Sequence, residues 1–312
     1  MKLWGEPMRE EIYYPSAGKG KIHASVWLPE GNVKAVVQIV HGIGEHVFRY
    51  DAFASYLTGL GFAVTAEDHM GHGLSASEPG LRGYFHGGWF TAVKDTMKLM
   101  EISKERFGDV PYFLFGHSMG SFMVRTILAK YPDSGIRGCI ICGTGWQSGA
   151  LLKAGIPLCK IVCKNNGEKA PGTSLHKLVF GGYNKRVEHK RTPSDWLTRD
   201  KTIVDAYEED PLCGFVPAAG LMRDMMLGIS YIQKSDSLNR MNKDTPCFFI
   251  AGGDDPVGSY GKGVIKTAKM FRKAGMNRVD MKIYPLCRHE ILNELNRQEV
   301  YEDVVEWMDK LI

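Results

Sequence analysis

The chain contains no long uninterrupted hydrophobic run, no cluster of basic residues and no low-complexity segment. A membrane-spanning helix needs about 20 consecutive apolar residues, so stable membrane insertion is not expected. The net charge of +4 over 312 residues is small and, without an arginine- or lysine-rich stretch, argues against nucleic-acid binding. The opening residues, Met1 to Pro7, lack the apolar core of a signal peptide.

The chain also lacks the cysteine pattern of a disulfide framework or a zinc finger. Its seven cysteines are odd in number and scattered, and no histidine lies at zinc-finger spacing from the pairs Cys139/Cys142 or Cys159/Cys163. We therefore predict reduced and mostly buried thiols, a cytoplasmic location, no metal ligands and no cofactor.

Short apolar strand patterns alternate with helical patterns through most of the chain. The predicted strands are Glu11 to Tyr14, Ile22 to Leu28, Ala35 to Val40, Phe62 to Ala66, Pro111 to Phe115, Ile136 to Cys142, Pro246 to Ala251 and Val279 to Tyr284. A polar turn, Ser16 to Gly20, predicts that the first two form a hairpin. This alternation predicts an α/β fold with a mostly parallel central sheet flanked by helices.

The alternation stops in the middle third of the chain. After Gly145 no convincing strand appears until about residue 241, and the intervening segment is helical in pattern and rich in methionine and leucine. We therefore predict one α/β domain, residues 1–145 and 241–312, interrupted by a mainly helical insertion, residues 146–240. Its apolar residues fit two interpretations equally, either a site for an acyl chain or ordinary packing against the core.

The sequence Gly116-His117-Ser118-Met119-Gly120 lies where a predicted strand meets a predicted helix. A Gly-x-Ser-x-Gly pattern in that context predicts a sharp turn that exposes the serine hydroxyl above the edge of the sheet. The glycines two positions to either side let strand and helix approach each other. Ser118 is therefore the candidate nucleophile.

A serine hydroxyl needs a base and usually a carboxylate that orients the base. Asp254 and Asp255 follow the strand that ends at Ala251, and His289 follows the last strand. We favour Asp255 over Asp254 because Pro256 makes its turn rigid. Side chains at the carboxyl ends of neighbouring parallel strands can converge, so Asp255 and His289 are the predicted partners of Ser118.

Hydrolysis of an acyl group also needs donors for the developing oxyanion. The predicted donors are the backbone N–H groups of Met119 and of Ile43, which lies in the loop His41-Gly42-Ile43-Gly44-Glu45-His46. For His41 and His46 we favour a role in bracing this loop over a catalytic one. The stretch Asp68 to Gly73 contains two histidines, and we interpret it as a polar loop rather than a metal site.

Together these motifs resemble the α/β-hydrolase branch of monoacylglycerol lipases and bacterial lysophospholipase-like esterases. The resemblance rests on the loop from His41 to His46 with Arg49-Tyr50, the stretch from Asp68 to Gly73, the turn at Ser118, Asp255-Pro256-Val257 and Arg288-His289-Glu290. It implies an α/β-hydrolase fold, the triad Ser118, Asp255 and His289, the oxyanion donors Ile43 and Met119, and a cap formed by the insertion. Ile43 is bulkier than the alanine usual at its position.

The resemblance implies a serine hydrolase that cleaves carboxylic esters through an acyl-enzyme intermediate. Monoacylglycerols, lysophospholipids and similar acyl esters are the expected small-molecule partners, with transient contact to a lipid surface. An aminopeptidase or amidase with the same triad is an alternative, for which Glu208, Glu209 and Asp210 offer a candidate amine site. A non-catalytic binding module is the other alternative. The sequence indicates no oligomeric state.

Overall fold

Eight strands form one sheet in the part of the chain that a computed structural model describes, residues 8–76 and 82–312. The strands, β1 to β8 in chain order, are Met8–Pro15, Lys21–Leu28, Ala35–Val40, Phe62–Glu67, Tyr112–His117, Gly138–Cys142, Cys247–Gly252 and Val279–Tyr284. Each overlaps one predicted strand. The expectation for Met1 to Pro7 lies outside the described residues.

The sheet is mostly parallel, with the order β1-β2-β4-β3-β5-β6-β7-β8. The pairs β1/β2 and β2/β4 are antiparallel, and every pair from β4/β3 to β7/β8 is parallel. All residues of β3 to β7 are buried, as expected where helices cover both faces of a parallel sheet. The predicted hairpin is confirmed, because the Ser16 N–H donates to the Gly20 carbonyl at 3.1 Å.

Helices cover both faces of the sheet. The helices of the described residues, α1 to α10, are Asp51–Thr58, Trp89–Phe107, Met119–Lys130, Gly149–Asn166, Thr173–Phe180, Lys201–Glu209, Ala219–Ile232, Ser235–Arg240, Lys262–Lys273 and Arg297–Asp309. Apolar residues of α1 and α10 share one buried cluster, and those of α2, α3 and α9 share the cluster on the opposite face. The predicted α/β fold, a mostly parallel sheet flanked by helices, is confirmed.

The chain between β6 and β7 forms helices α4 to α8, together with a short 3-10 helix, Tyr183–Arg186. We call residues 146–240 the helical insertion. Within it, α7 packs against α3, α4 and α2, and α8 packs against α3. Leu221 and Ile232 of α7 and Leu238 of α8 are buried in the same cluster as the sheet, so the last two helices of the insertion belong physically to the core.

All seven cysteines are free and buried, as the sequence predicted. Among the described residues, no helix combines the length and the apolar character that crossing a bilayer would require.

Candidate active site

Ser118 sits on a strained turn between β5 and α3. Its backbone has φ 52° and ψ −117°, a conformation that costs a residue with a side chain about 1–3 kcal/mol. The chain segments around it are very close, since a Cβ on Gly120 would lie 1.9 Å from the Val40 carbonyl oxygen. A Cβ on Gly116 would lie 2.6 Å from the Gly120 carbonyl oxygen. The two glycines therefore permit the approach that the sequence pattern required.

The loop from His41 to His46 follows β3 and lies beside Ser118. A Cβ on Gly42 would come within 3.1 Å of the Ser118 Cβ. Ile43 and Met119, the predicted oxyanion donors, both line a cavity that contains Ser118. The backbone on both sides of the serine is thus close enough to contact the same small group.

His289 and Asp255 lie together beyond the ends of β8 and β7. His289 Nδ1 is 3.0 Å from Asp255 Oδ1, and both side chains are buried. The Val257 N–H donates to the same carboxylate at 2.8 Å. Asp254 is exposed instead, which favours Asp255 as the carboxylate of this pair. Neither ring nitrogen of His289 has hydrogen-bond geometry with a described residue, so the contact with Asp255 is an ion-pair distance and Nε2 makes no hydrogen bond to Ser118.

The His289 ring lies close to a chain segment that is hydrogen-bonded to Ser118. A Cβ on Gly143, at the end of β6, would lie 3.0 Å from His289 Cε1. The Ser118 N–H donates to the carbonyl of Cys142, the residue before Gly143, at 3.0 Å. Ser118 and His289 also line one common cavity. Apo enzymes often have loose catalytic hydrogen bonds, so this placement suits a nucleophile and its base.

Two opposing effects determine the pKa of His289. Burial disfavours the imidazolium, but the negative charge of Asp255 and the contact with it favour the imidazolium more strongly. The pKa of His289 therefore lies above its ordinary value of 6.5. The neighbouring His117 ring has its centroid 4.7 Å from that of His289, and burial followed by the charge of His289 lowers the pKa of His117.

His41 braces the loop that carries Ile43. Its Nε2 accepts a hydrogen bond from the His69 N–H at 3.0 Å, so Nδ1 carries the proton and donates to the Gly42 carbonyl at 2.7 Å. This is the bracing role that the sequence favoured over a catalytic one. The stretch that begins at Asp68 is also structural, because the Asp68 carboxylate accepts the backbone N–H groups of Val47 and Leu74.

A second set of charged residues lies within the motifs that carry the resemblance, but its pairing was not predicted from the sequence. Arg49 donates to Glu45 Oε2 at 3.1 Å and to both carboxylate oxygens of Glu290 at 2.5 and 2.7 Å. Glu45 Oε1 in turn accepts the Gly42 N–H at 2.5 Å and the Tyr50 hydroxyl at 3.0 Å. We call Glu45, Arg49 and Glu290 the carboxylate clamp. It joins the loop beside Ser118 to the residue that follows His289.

The pKa values of the two clamp carboxylates are shifted in opposite directions. Burial raises the pKa of Glu45, an effect that Arg49 only partly offsets. Burial acts the same way on Glu290, but the charge of Arg49 and its hydrogen bonds outweigh it and lower the pKa of that carboxyl. The paired hydrogen bonds between Arg49 and Glu290 are therefore the strongest electrostatic contact of the clamp.

Two cavities meet at Ser118. The apolar cavity has a volume of about 470 Å³ and extends between α3, α4, α5 and α7. Its apolar lining includes Leu151, Leu158, Leu175, Met222, Met225, Met226 and Ile229. Part of the apolar residues of the insertion thus lines this space, and Met222, Met225 and Met226 belong to the core cluster as well. Leu152 and Leu221 lie in that cluster but do not line the cavity.

A second cavity, of about 410 Å³, also reaches the serine and has a mixed lining, in which Trp196, Leu197 and Phe215 lie beside polar groups. We call it the polar cavity because polar side chains form a larger part of its lining than of the apolar cavity's. Its lining includes the polar side chains His176, Lys177, Asn184, Tyr207 and Glu208, as well as His289 and Glu290. Ile43, Ser118 and Phe180 line both cavities. An ester bond at Ser118 could therefore extend its two halves into different environments.

The helical insertion also holds the His289 loop in place. The N–H groups of His289 and Glu290 donate to the carbonyls of Trp196 and Leu197, at 3.4 and 2.7 Å. The Trp196 ring lies 5.1 Å, centroid to centroid, from the His289 ring. The insertion therefore packs directly against the candidate base.

The known proteins to which this chain is similar are named as hydrolases. A family model described as serine aminopeptidase, S33, matches residues 31–296. A monoacylglycerol lipase of Mycolicibacterium smegmatis is 29% identical over 96% of this chain and 97% of its own. The human monoglyceride lipase is 29% identical over 86% of this chain and 84% of its own. A thermostable carboxyl esterase of Bacillus coagulans, solved with glycerol, has a TM-score of 0.90 and 32% identity, covering 97% and 98% of the two chains.

We expect Arg49→Ala to destabilise the protein strongly, because it leaves Glu45 and Glu290 buried without their counter-ion. Removing one partner of a buried ion pair commonly costs about 3–5 kcal/mol. The measurement is the free energy of unfolding in a denaturant titration.

Arg9→Ala is the matched control, since the Arg9 side chain is 37% exposed where it pairs with Asp51. An exposed pair contributes at most about 1 kcal/mol. Equal losses in the two variants would contradict a structural role for the carboxylate clamp.

Proposed function

The chain belongs to the serine aminopeptidase S33 family of α/β-hydrolases and is a serine hydrolase of carboxylic esters, and from this premise we propose that Ser118, His289 and Asp255 carry out the reaction. The 3.0 Å contact between His289 and Asp255 supports the orientation of the base. The strained turn at Ser118 supports its role as the nucleophile.

In the proposed first step, His289 Nε2 takes the proton of the Ser118 hydroxyl as the oxygen attacks the ester carbonyl carbon. The tetrahedral intermediate collapses, the bond to the alcohol oxygen breaks, and His289 returns the proton to the leaving alcohol. Water then attacks the acyl-enzyme with His289 again as base, which releases the carboxylic acid and restores Ser118. Asp255 stabilises the imidazolium in both halves of the cycle.

The N–H groups of Ile43 and Met119 are the proposed donors to the oxyanion. One such donor contributes about 3–4 kcal/mol to the stability of a transition state. The carboxylate clamp supports this proposal, because Glu45 accepts the Gly42 N–H and so restrains the peptide next to Ile43. His41 restrains the same loop from its other side.

The meeting of an apolar and a polar cavity at Ser118 is the observation that carries the proposed substrate class. We assign the acyl chain of the substrate to the apolar cavity and its hydroxylated alcohol to the polar cavity. Monoacylglycerols and lysophospholipids have this division between an apolar chain and a polar head. The helical insertion, which lines both cavities, then acts as the cap.

The exposed surface of the insertion supports a transient contact with lipid. Leu158 and Leu178 line the apolar cavity, yet they are 39% and 70% exposed. Ile161, on the same helix as Leu158, is 56% exposed.

A chain with seven free thiols also suits the reducing cytoplasm.

The amidase alternative has weaker support. A substrate amine needs an acidic patch, but Asp210 is held by His46 at 2.7 Å, and of Glu208, Glu209 and Asp210 only Glu208 lines the polar cavity. We therefore favour esters. A substrate panel that contains aminoacyl p-nitroanilides beside monoacylglycerols and lysophospholipids separates the two functions directly.

Ser118→Ala should fold normally and lose nearly all esterase activity, because the acyl-enzyme cannot form. At most about 10³–10⁴-fold acceleration over water should remain. The assay is hydrolysis of a medium-chain p-nitrophenyl ester, together with labelling by a fluorophosphonate, which reacts with activated serines.

Ser134→Ala, a change remote from both cavities, should keep full activity and labelling. Turnover at the wild-type rate in Ser118→Ala would refute the proposed nucleophile. Failure of the wild-type protein to react with the fluorophosphonate would favour a non-catalytic binding module.

Asp255→Asn should shift the pH dependence of kcat/KM. A base is active when it is neutral, so activity falls as the pH decreases through the pKa of His289, which the charge of Asp255 raises. Without that charge the acidic limb should move to lower pH by about 1–3 units, while kcat falls by about 10⁴-fold. Asp254→Asn, a change at the exposed neighbour, should leave the profile unchanged. If Asp254→Asn shifted the profile and Asp255→Asn did not, Asp254 would be the carboxylate that orients His289.

The apolar cavity predicts that kcat/KM rises with acyl chain length from acetyl to dodecanoyl esters. Each CH₂ group that becomes buried contributes about 0.8 kcal/mol, or about four-fold. Ala154→Trp should abolish the gain for long chains, because residue 154 lines the cavity. Ala150→Trp, on the same helix and outside the cavity lining, is the control. A flat series in the wild-type protein would contradict an acyl site.

A further inference from the structure

Three potential metal ligands from distant parts of the chain meet outside the candidate active site. His46 ends the loop after β3, whereas Asp210 and Cys213 lie in the connection between α6 and α7 of the helical insertion. Their ligand atoms all lie within 4.8 Å of one another. His46 Nε2 is 2.7 Å from Asp210 Oδ2. The cluster therefore bridges the core and the insertion.

The backbone fixes two of these side chains relative to each other. Asp210 Oδ1 accepts the Leu212 N–H at 2.8 Å, and the Cys213 N–H donates to the Asp210 carbonyl at 3.0 Å. This turn engages Oδ1 and leaves Oδ2 on the side of His46. Only small movements are then needed to bring a nitrogen, an oxygen and a sulfur to a common centre.

Burial separates this cluster from an ordinary surface group of acids. His46 is 5% exposed and Cys213 is 7% exposed, so solvent barely reaches the imidazole and the thiol. His46 Nδ1 is buried without any hydrogen-bond partner among the described residues. The imidazole therefore contacts Asp210 through Nε2 and has a second nitrogen, Nδ1, that makes no hydrogen bond to a described residue.

We propose that His46, Asp210 and Cys213 form a binding site for a zinc-like divalent cation. Imidazole nitrogen, carboxylate oxygen and thiolate sulfur are the ligand types of Zn²⁺, whereas Mg²⁺ and Ca²⁺ take oxygen ligands. Binding releases the proton of the Cys213 thiol, and the thiolate and the Asp210 carboxylate then balance the two positive charges of the ion. A water molecule completes a tetrahedral set of four ligands.

A cation bound at this site would restrain the loop that lies beside Ser118. The Tyr207 hydroxyl and the Gly214 N–H both donate to the Gly44 carbonyl, each at 3.0 Å. Gly44 follows Ile43, and Tyr207 and Gly214 line the polar cavity. A metal ion that joins His46 to Asp210 and Cys213 therefore fixes this part of the insertion on the loop beside Ser118. Metal binding itself does not depend on the proposed function.

Cobalt is the most direct probe, because Co²⁺ bound by a thiolate gives an intense absorption band in the near ultraviolet. The full-length protein is stripped with a chelator and titrated with Co²⁺ and, separately, with Zn²⁺ under equilibrium dialysis. We expect one ion per chain, the thiolate–cobalt band, and a rise in Tm on addition of Zn²⁺.

Cys213→Ser should remove the cobalt band and weaken Zn²⁺ binding. Loss of a group outside the ligand set commonly costs about 10- to 100-fold in metal affinity, so loss of a ligand should cost at least about 100-fold. Asp210→Asn is the second variant, which keeps the test valid if the first variant does not fold. It should retain the band but bind Zn²⁺ more weakly.

The matched controls are Glu209→Gln, next to Asp210, and Cys163→Ser, another buried cysteine of the insertion. Both should bind the ion as the wild-type protein does. Absence of the thiolate–cobalt band in the wild-type protein, or equal Zn²⁺ affinity in Cys213→Ser, would overturn the proposal. The cluster would then be an ion pair that latches the insertion to the core.

Discussion

The arrangement of the candidate site depends on one buried interaction, the contact of the Arg49 guanidinium with the carboxylates of Glu45 and Glu290. Glu45 holds the backbone N–H of Gly42, and Glu290 is bonded covalently to His289. The loops on the two sides of the serine are therefore tied to one cation. A low-dielectric surrounding strengthens these bonds and makes an unpaired member costly. The geometry around Ser118 is thus stabilised by buried charged residues, two of which, Glu45 and Glu290, also line the polar cavity.

The sheet positions the candidate reacting residues, and the insertion lines the cavities around them. Parallel strands bring their carboxyl ends to one edge, where Ser118, Asp255 and His289 follow β5, β7 and β8. The insertion adds most of the walls of both cavities and accepts the N–H groups of His289 and Glu290. In the proposed mechanism the reacting groups therefore belong to the sheet and its loops, while the shape of the two cavities depends largely on the helices of the insertion.

Local sequence patterns predicted the strands well and singled out the candidate reacting groups, because each depends on neighbours in the chain. The turn at Ser118 needs glycines two residues away, and His289 lies in the loop after a strand that ends at Tyr284. The carboxylate clamp escaped prediction because Arg49 and Glu290 are 241 positions apart, and the pairing of His46 with Asp210 spans 164 positions. No local pattern marks such partners. The two cavities likewise depend on how helices pack, which periodicity alone does not fix.

The packing of α7 and α8 has a consequence for how such a chain can diversify. These helices fill the place of a crossover connection between β6 and β7, with Leu221 and Ile232 buried against α3. An evolutionary or engineered exchange of the insertion should therefore stop before Ala219, where α7 begins. Residues 146–218 can then be exchanged as one module, provided that the replacement again offers backbone acceptors to His289 and Glu290, as Trp196 and Leu197 do. Selectivity can change in this way while the sheet and the last two helices of the insertion are inherited unchanged.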